Sequence, residues 1–387
     1  MLLVPPAFLV ARKGAQVSVH DVLRGASIEL EGAAADAVSS GTREPCHALD
    51  TLSRFESTGT LAALRDALIK HGPRPLTRAA LLRGDGYGQL FLELTARCNE
   101  RCTHCYAESS PERTEALSES VVMSALDDAA ELGFARVQLT GGDPLVSDLC
   151  VPAARHALGL GIGQVEVYTN GLALIGRTYE QLAALGVRFA FSFYSHDPAT
   201  HDAITRTPGS HRRTLAAIER AVRDQLVVRA SVIVMDANRD HLPGAIATLR
   251  AAGVREDSIG ADVQRSVGRG LMTIRPKDAQ LEQLLPNANA GHRQQIETSD
   301  EGEPDPSGRA AVSYDGTVYP CIFSRSFPLG RLPEQRLKDV LRDETPLSVD
   351  LESLSREYSA RQAQQACWDC RLRATVLGMQ SERGASS

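Results

Sequence analysis

Residues 90–105 read Leu-Phe-Leu-Glu-Leu-Thr-Ala-Arg-Cys-Asn-Glu-Arg-Cys-Thr-His-Cys. Leu90 to Thr95 is an apolar run that predicts a strand, and Cys98, Cys102 and Cys105 follow it on one tight loop. The spacing is Cys-x3-Cys-x2-Cys. Three thiolates so placed can each bind a different iron of a cubane, which leaves the fourth iron without a protein ligand and open to a small molecule. A closed structural zinc site asks for four ligands, so the competing reading is a zinc knuckle completed by a distant residue.

Outward from this loop the chain alternates strand-like and helix-like segments. Strand-like runs recur at Arg136 to Thr140, Gln164 to Thr169, Arg188 to Phe193, Val227 to Met235 and Ser258 to Val263. Between them, Ser118 can N-cap a helix that runs through Leu132 and stops at Gly133, and helical patterns cover Thr214 to Arg223 and Leu242 to Ala252. Such alternation means parallel strands joined by right-handed crossovers. Six of these units fit an α/β fold of the partial (β/α)6 barrel type over residues 86–275, with a doubly wound sheet as the alternative. Ahead of it, residues 1–85 read as a small N-terminal domain. It has strands at Gln16 to His20 and Ser27 to Leu30, a helix near Leu61 to Lys70, and a Pro-containing linker from Gly72 to Leu76. Residues 276–310, rich in Pro, Asn, Asp and Gly, read as a second linker, and 311–387 as a cysteine-bearing C-terminal extension. No solenoid repeat is present.

The 387 residues suit two or three domains, and 43% hydrophobic with 23% charged residues is an ordinary composition able to bury a full core. The net charge is −6 and no long basic run occurs, which speaks against a nucleic-acid partner. The apolar opening, Leu2 to Val10, is broken by Pro5 and Pro6 and stopped by Arg12 and Lys13. It is too short to span a bilayer and has no signal-peptide pattern, so no membrane partner and a cytoplasmic location are expected. In that reducing compartment, clustered cysteines bind metal more often than they form disulfides. Of the eight cysteines, Cys46 and Cys150 read as plain buried thiols.

The strand Arg136 to Thr140 runs into Gly141-Gly142-Asp143-Pro144. Alone this is an ordinary turn, but glycines let a backbone approach a ligand, and the turn follows the strand next after the cysteine loop. Together these residues resemble the radical SAM superfamily. The resemblance implies a [4Fe–4S] cluster on Cys98, Cys102 and Cys105. Its open iron is chelated by the amino and carboxylate groups of S-adenosylmethionine (SAM), which one electron cleaves to a 5′-deoxyadenosyl radical. His104 stands where the family has an aromatic residue before the third cysteine, and Asp143 where it has Glu in the loop that holds the SAM ammonium. By the same resemblance Gly141, Gly142, Asp143, His104, Tyr106, Asn170, Ser192 and Arg206 contact the cofactor, with Ser192 near the SAM carboxylate or ribose, Arg206 at the carboxylate and Asn238 at the adenosine. The bland readings are a turn at Asn170-Gly171, a satisfied barrel serine at Ser192 and a solvated Arg206. These positions fall at the C-terminal ends of strands, where α/β barrels build sites.

The tail has Gly316-Thr317-Val318-Tyr319-Pro320-Cys321 and Cys367-Trp368-Asp369-Cys370. This resembles the SPASM or twitch extension of radical SAM enzymes and implies one auxiliary iron–sulfur cluster on Cys321, Cys367 and Cys370. The pattern is incomplete: no cysteine lies between Cys150 and Cys321, and Val376 stands at the next expected position. A zinc site or a vestigial, metal-free fold is the alternative. The N-terminal region, through Ser27 to Gly32 and the later helix, resembles winged-helix peptide-recognition domains, which add a leader peptide to a sheet edge; a purely structural cap is the alternative. Three functions follow. The first is a maturase that abstracts hydrogen from a ribosomally made precursor peptide, giving a crosslink, an epimerised centre or an oxidised residue. Its partners are that peptide and a flavodoxin- or ferredoxin-type electron donor. The second is a radical SAM enzyme on a small molecule such as a sugar or aminocyclitol. The third is a non-catalytic metal-binding peptide scaffold.

Overall fold

The computed structural model describes residues 2–4, 8–21, 26–39, 60–71, 74–75, 77, 79, 86–265, 267–272, 308–323, 325 and 328–345. They fall into two compact units, one formed by residues up to Gly86 together with 341–345, the other by Tyr87–Val340.

The first unit is an antiparallel sheet of β1 (Leu2–Val4), β2 (Phe8–Lys13), β3 (Gln16–Asp21), β4 (Ala26–Leu30) and β5 (Arg74–Pro75), in the order β4-β3-β2-β1-β5. Two helices, α1 (Gly32–Ser39) and α2 (Thr60–His71), belong to it. Strand periodicity puts Phe8, Val10, Val17 and Val19 on one face, where they pack with Leu30, Val38, Leu61 and Leu64. The apolar opening thus supplies two strands, Leu2–Val4 and Phe8–Lys13. The segment from Gly72 to Leu76, expected as a linker, instead carries the edge strand β5, with Leu2 opposite Pro75 and Leu3 opposite Arg74. A proline has no N–H to donate and is tolerated at a sheet edge for that reason.

The second unit holds six parallel strands, β6 (Tyr87–Glu93), β7 (Arg136–Thr140), β8 (Gln164–Thr169), β9 (Arg188–Phe193), β10 (Val228–Val234) and β11 (Ile259–Val263). Each pairs with the next in chain order. A doubly wound sheet would reverse that order at a switch point, so the sequential order selects the partial barrel, with its crossover helices on one face. The helices between these strands are α3 (Glu119–Leu132), α4 (Cys150–Gly159), α5 (Gly176–Ala184), α6 (Pro198–Thr205), α7 (Ser210–Arg223) and α8 (Leu242–Ala251). α3 starts at Ser118, whose hydroxyl accepts from the Val121 N–H at 3.4 Å, and ends at Gly133 with φ +77°, a left-handed cap open to glycine at no steric cost.

β6 does not pair with β11. Its free edge takes β12 (Gly308–Val312) in parallel, followed antiparallel by β13 (Thr317–Tyr319) and β14 (Gly330–Arg331). β12 begins inside the stretch read as linker, and it joins the barrel sheet itself. Along β6–β10 the side chains alternate. One face presents Leu90, Leu92, Val137, Leu139, Val165, Val167, Phe189, Phe191, Val232 and Val234, all at most 2% exposed. The other presents Gln138, Glu166, Tyr168, Ser192, Arg229 and Ser231. Among the described residues no helix is long and apolar enough to cross a membrane.

Candidate functional site

The cysteine loop leaves the C-terminal end of β6 and is gripped by backbone from neighbouring strands. Gly142 N–H donates to Thr95 O at 2.7 Å and Asp143 N–H to Arg97 O at 3.0 Å. A Cβ on Gly142 would sit 2.0 Å from Arg97 O, and Gly141 has φ +132° with Thr95 O at 2.5 Å from its would-be Cβ. No side chain fits either position, so both glycines are required by the approach of two backbones. From the other side, Arg101 N–H donates to Thr205 O at 3.0 Å and Thr103 N–H to Ile204 O at 2.9 Å, at the end of α6.

Asp143 is 1% exposed. Its carboxylate caps the turn after β7 by accepting from Leu145 N–H at 2.9 Å, and it accepts from the Thr169 hydroxyl at 2.7 Å and Asn170 N–H at 2.9 Å. Burial raises its pKa, against the pull of the Asn170, Thr169 and Leu145 hydrogen bonds. Asp143 therefore ties β7 to β8. Asn170 carries the tie onward: its amide donates to Asn99 Oδ1 at 2.6 Å and lies 3.7 Å from Cys98 Sγ, while its own carbonyl accepts from the Thr214 hydroxyl at 2.7 Å. Gly141, Gly142, Asp143, Asn170 and the cysteine loop are thus one connected assembly.

Cys98 is buried, Cys102 and Cys105 half-buried. Glu100 N–H donates to Cys98 Sγ and Ser109 N–H to Cys105 Sγ, each at 3.4 Å. The Cys102 thiol donates to Glu100 Oε2 at 3.2 Å, while Glu100 Oε1, buried, has no hydrogen-bond partner. Burial is the main force pushing the Cys98 and Cys102 thiols up and the Glu100 carboxyl to about 8. Such a pocket disfavours bare thiolates and favours them when iron supplies the compensating charge. The donor set therefore fits an iron–sulfur cluster.

The other expected contacts divide. His104 is half-buried, packed edge-to-face with Tyr194 at 5.0 Å between ring centres, and burial, with the Arg269 charge, lowers it to about 4. Tyr106 packs on Phe323 at 5.3 Å between ring centres, with the Arg325 guanidinium 5.4 Å from its own ring. Ser192 is half-buried on the polar face, its hydroxyl 3.3 Å from the Tyr168 hydroxyl. Arg206 is exposed, the left-handed cap of α6 at φ +51°. Asn238 is 1% exposed and has no group left for an adenosine: its amide donates to Tyr194 O at 2.7 Å and Ile233 O at 3.0 Å, and its Oδ1 accepts from Met235 N–H at 2.7 Å. It braces the ends of β9 and β10 instead.

Cys321 is 5% exposed and clusters with Ala311 and Ile322 against Phe91, Tyr106, Tyr319 and Phe323, so the first tail cysteine packs beside the residue that follows Cys105. Cys367, Cys370, Val376 and Cys46 lie outside the described residues. Sequence reasoning passed over Glu100, Arg269 and the Glu93–Arg325 ion pair. Glu100 was visible between two cysteines, and Arg269 stood between two glycines just after β11. Glu93 and Arg325 gave no local signal. A groove of 1060 Å³ among the described residues is lined by Met123, Val151, Arg155 and Leu160 on the helical face and includes no residue of the cysteine loop.

Residues 92–249 match the family model of the radical SAM superfamily, and residues 304–371 that of an iron–sulfur cluster-binding domain, SPASM. An AdoMet-dependent heme synthase of Methanosarcina barkeri is 36% identical over 129 residues, 33% of this chain and 37% of that protein. The antilisterial bacteriocin subtilosin biosynthesis protein AlbA of Bacillus subtilis is 28% identical over 198 residues, 49% of this chain and 42% of that protein. The chain thus matches less than half the length of either relative. In fold it is similar to Streptococcus suis SuiB bound to precursor peptide SuiA, with a TM-score of 0.55, 14% identity and 89% of both chains covered. The two domains imply a [4Fe–4S] cluster, SAM and auxiliary iron–sulfur binding. The chain belongs to the radical SAM superfamily, among the enzymes with a SPASM or twitch extension.

Proposed function

We propose that this radical SAM enzyme modifies a ribosomally made precursor peptide by hydrogen abstraction, giving a crosslink, an epimerised centre or an oxidised residue. The observation that carries the reading is the antiparallel N-terminal sheet, in which β4 pairs with β3 alone among the described strands. An open edge of this kind can take an extended peptide as a further strand through its unpaired backbone groups. The similarity to AlbA, a bacteriocin biosynthesis protein, and the likeness in fold to SuiB bound to its precursor peptide support the same reading.

When bound, the cluster and SAM supply one-electron cleavage and a carbon radical able to take a hydrogen atom. The chain's own residues do the rest. Cys98, Cys102 and Cys105 hold the cluster, and Asp143 and Asn170 fix the loop on which they sit. Gly141 and Gly142 bring the β7 turn within reach of a bound cofactor, and Ser192 and His104 face the same end of the sheet. Cys321, with Cys367 and Cys370, holds the auxiliary cluster. A flavodoxin- or ferredoxin-type protein delivers the electron, in the cytoplasm. The small-molecule reading keeps one support, the similarity to a heme synthase and to GTP 3′,8-cyclases.

Anaerobic turnover of the reconstituted full chain with SAM, a reductant and a short candidate precursor peptide encoded beside it, read by mass spectrometry, tests the proposal. Loss of two hydrogens, or deuterium uptake from the solvent at one residue, is expected. Steady 5′-deoxyadenosine production that leaves every candidate peptide unchanged would refute it in favour of a small-molecule substrate. No SAM cleavage at all would leave the non-catalytic scaffold.

A further inference from the structure

The segment after β11 reads Val267-Gly268-Arg269-Gly270 and forms the start of a short 3-10 turn, Gly268–Met272. Side chains are excluded on both sides of the arginine, at Gly268 by the cysteine loop and at Gly270 by the segment's own Arg265 carbonyl. A Cβ on Gly268, which has φ +57°, would lie 2.5 Å from Tyr106 O and 2.7 Å from Cys105 O. A Cβ on Gly270 would lie 2.2 Å from Arg265 O and 3.3 Å from His104 O. Arg269 then bonds three carbonyls of the loop from one residue. Its backbone N–H donates to Cys105 O at 3.0 Å, its Nε to Cys102 O at 2.8 Å, and its Nη2 to Ser109 O at 2.8 Å. The segment is held in turn by Gln264, whose amide donates to Gly270 O at 2.7 Å.

We infer that Arg269 is a positioning residue for the iron–sulfur cluster: it clamps the Cys102–Ser109 backbone in ligating shape and sets a fixed positive charge beside the cluster. The inference rests on the assignment of the cluster to Cys98, Cys102 and Cys105. The fork matters because the planar guanidinium places its donors in a fixed geometry, so two of the three bonds are made without freezing a flexible head group. The charge matters because net charge and hydrogen bonding around a cluster set its reduction potential. A cation on the ligand loop favours the reduced, more negative state. Within the loop Cys105 N–H donates to Cys102 O at 3.4 Å and Glu108 N–H to Cys105 O at 3.3 Å. Arg269 gives both carbonyls a shorter bond and adds one to Ser109 O, while other backbone ties of the loop run to Thr205, Ile204 and Ser110.

The test uses the full chain with Cys321, Cys367 and Cys370 changed to Ala, so that iron at the radical SAM site is counted alone. Arg269→Gln and Arg269→Lys are compared with that parent by iron content, potentiometric titration and the spectrum of the reduced cluster. For Arg269→Gln a roughly tenfold smaller reduced-to-oxidised ratio is expected at the parent's midpoint, a shift of about 59 mV to lower potential for a one-electron couple. Iron loading should also fall. Arg269→Lys keeps the charge and loses the fork, so its midpoint should return most of the way while its loading stays below the parent's.

Equal midpoint and loading in Arg269→Gln would overturn the inference, as would a lysine variant no better than the glutamine one. If Arg269→Gln holds no iron, the lysine variant alone decides, by whether its loading and midpoint approach the parent's. A collapse of the iron-free fold in both variants, seen by circular dichroism, would also overturn it, because a clamp on one loop leaves the apo fold standing. Failure of the parent itself to bind iron, with Cys98→Ala as control, would instead sink the cluster assignment.

Discussion

The two faces of the β6–β10 sheet make opposite use of the same strands. Toward the helices, Phe189 and Phe191 stack at 6.2 Å between ring centres, and the neighbouring strands add Leu92, Leu139, Val167 and Val232, none of them exposed. On the other face, Arg229 bonds both Glu166 oxygens at 2.7 Å and the Ser231 hydroxyl at 3.0 Å, Gln138 donates to the same Glu166, and Arg188 donates to Gln164 at 2.6 Å. The apolar face stabilises by area and shape. The polar face holds directed groups in place, at a desolvation cost that its ion pairs offset. Removing an apolar side chain should therefore cost stability, and removing the cysteines above the polar face should cost chemistry and leave the fold.

The largest effect expected is from replacing Cys98, Cys102 and Cys105 together by Ala. SAM cleavage should disappear, with circular dichroism and melting of the iron-free chain close to wild type. Iron that survives the substitution belongs to the tail. Continued release of 5′-deoxyadenosine, measured by chromatography, would break the comparison at its root.

Next comes Phe191→Ala on the apolar face. Phe191 is fully buried and its ring lies against the would-be Cβ of Gly171. A loss of about 3–5 kcal/mol is expected from the removed ring and the cavity left behind. Urea unfolding measures it. A loss below about 1 kcal/mol would mean that the face is loosely packed.

A subtler effect is expected from Glu166→Gln, read through pH. Burial pushes the Glu166 carboxyl up, but the Arg229 guanidinium, with help from Gln138 and Arg188, outweighs it and holds the group below the ordinary carboxylate value of 4.5. A folded value below the unfolded one gives stability that is fully present above about pH 4.5 and is lost as the pH falls through the folded value. Melting temperatures of wild type and Glu166→Gln should therefore differ most at neutral pH and converge in acid. A constant difference from pH 7 down to 3.5 would show that the pair contributes nothing through ionisation.

The smallest effect belongs to Ser118→Ala. The hydroxyl caps one orphan N–H of α3, so about 1 kcal/mol is expected, seen as a lower urea midpoint at unchanged slope. No change would mean that water replaces the cap.

What the sequence by itself determined are features written within one strand, one turn or one loop. The run into Cys98, Cys102 and Cys105, the strands Arg136–Thr140, Gln164–Thr169 and Arg188–Phe193, and the helix from Ser118 to Gly133 lie in the structure where their patterns put them. Alternation, capping and spacing are local, so their physics is complete within about a dozen residues. The tertiary structure decided which polar groups are engaged and which strands meet. Asn238 looked open to a ligand until its amide and carbonyl were found bonded to backbone. β12, about 220 residues after β6, pairs with it because an open barrel edge presents unmatched N–H and C=O groups that only a returning strand satisfies. Arg269 reaches a carbonyl 167 residues away. No local pattern encodes such a partnership, because it depends on where two loops arrive after every intervening strand has been laid down.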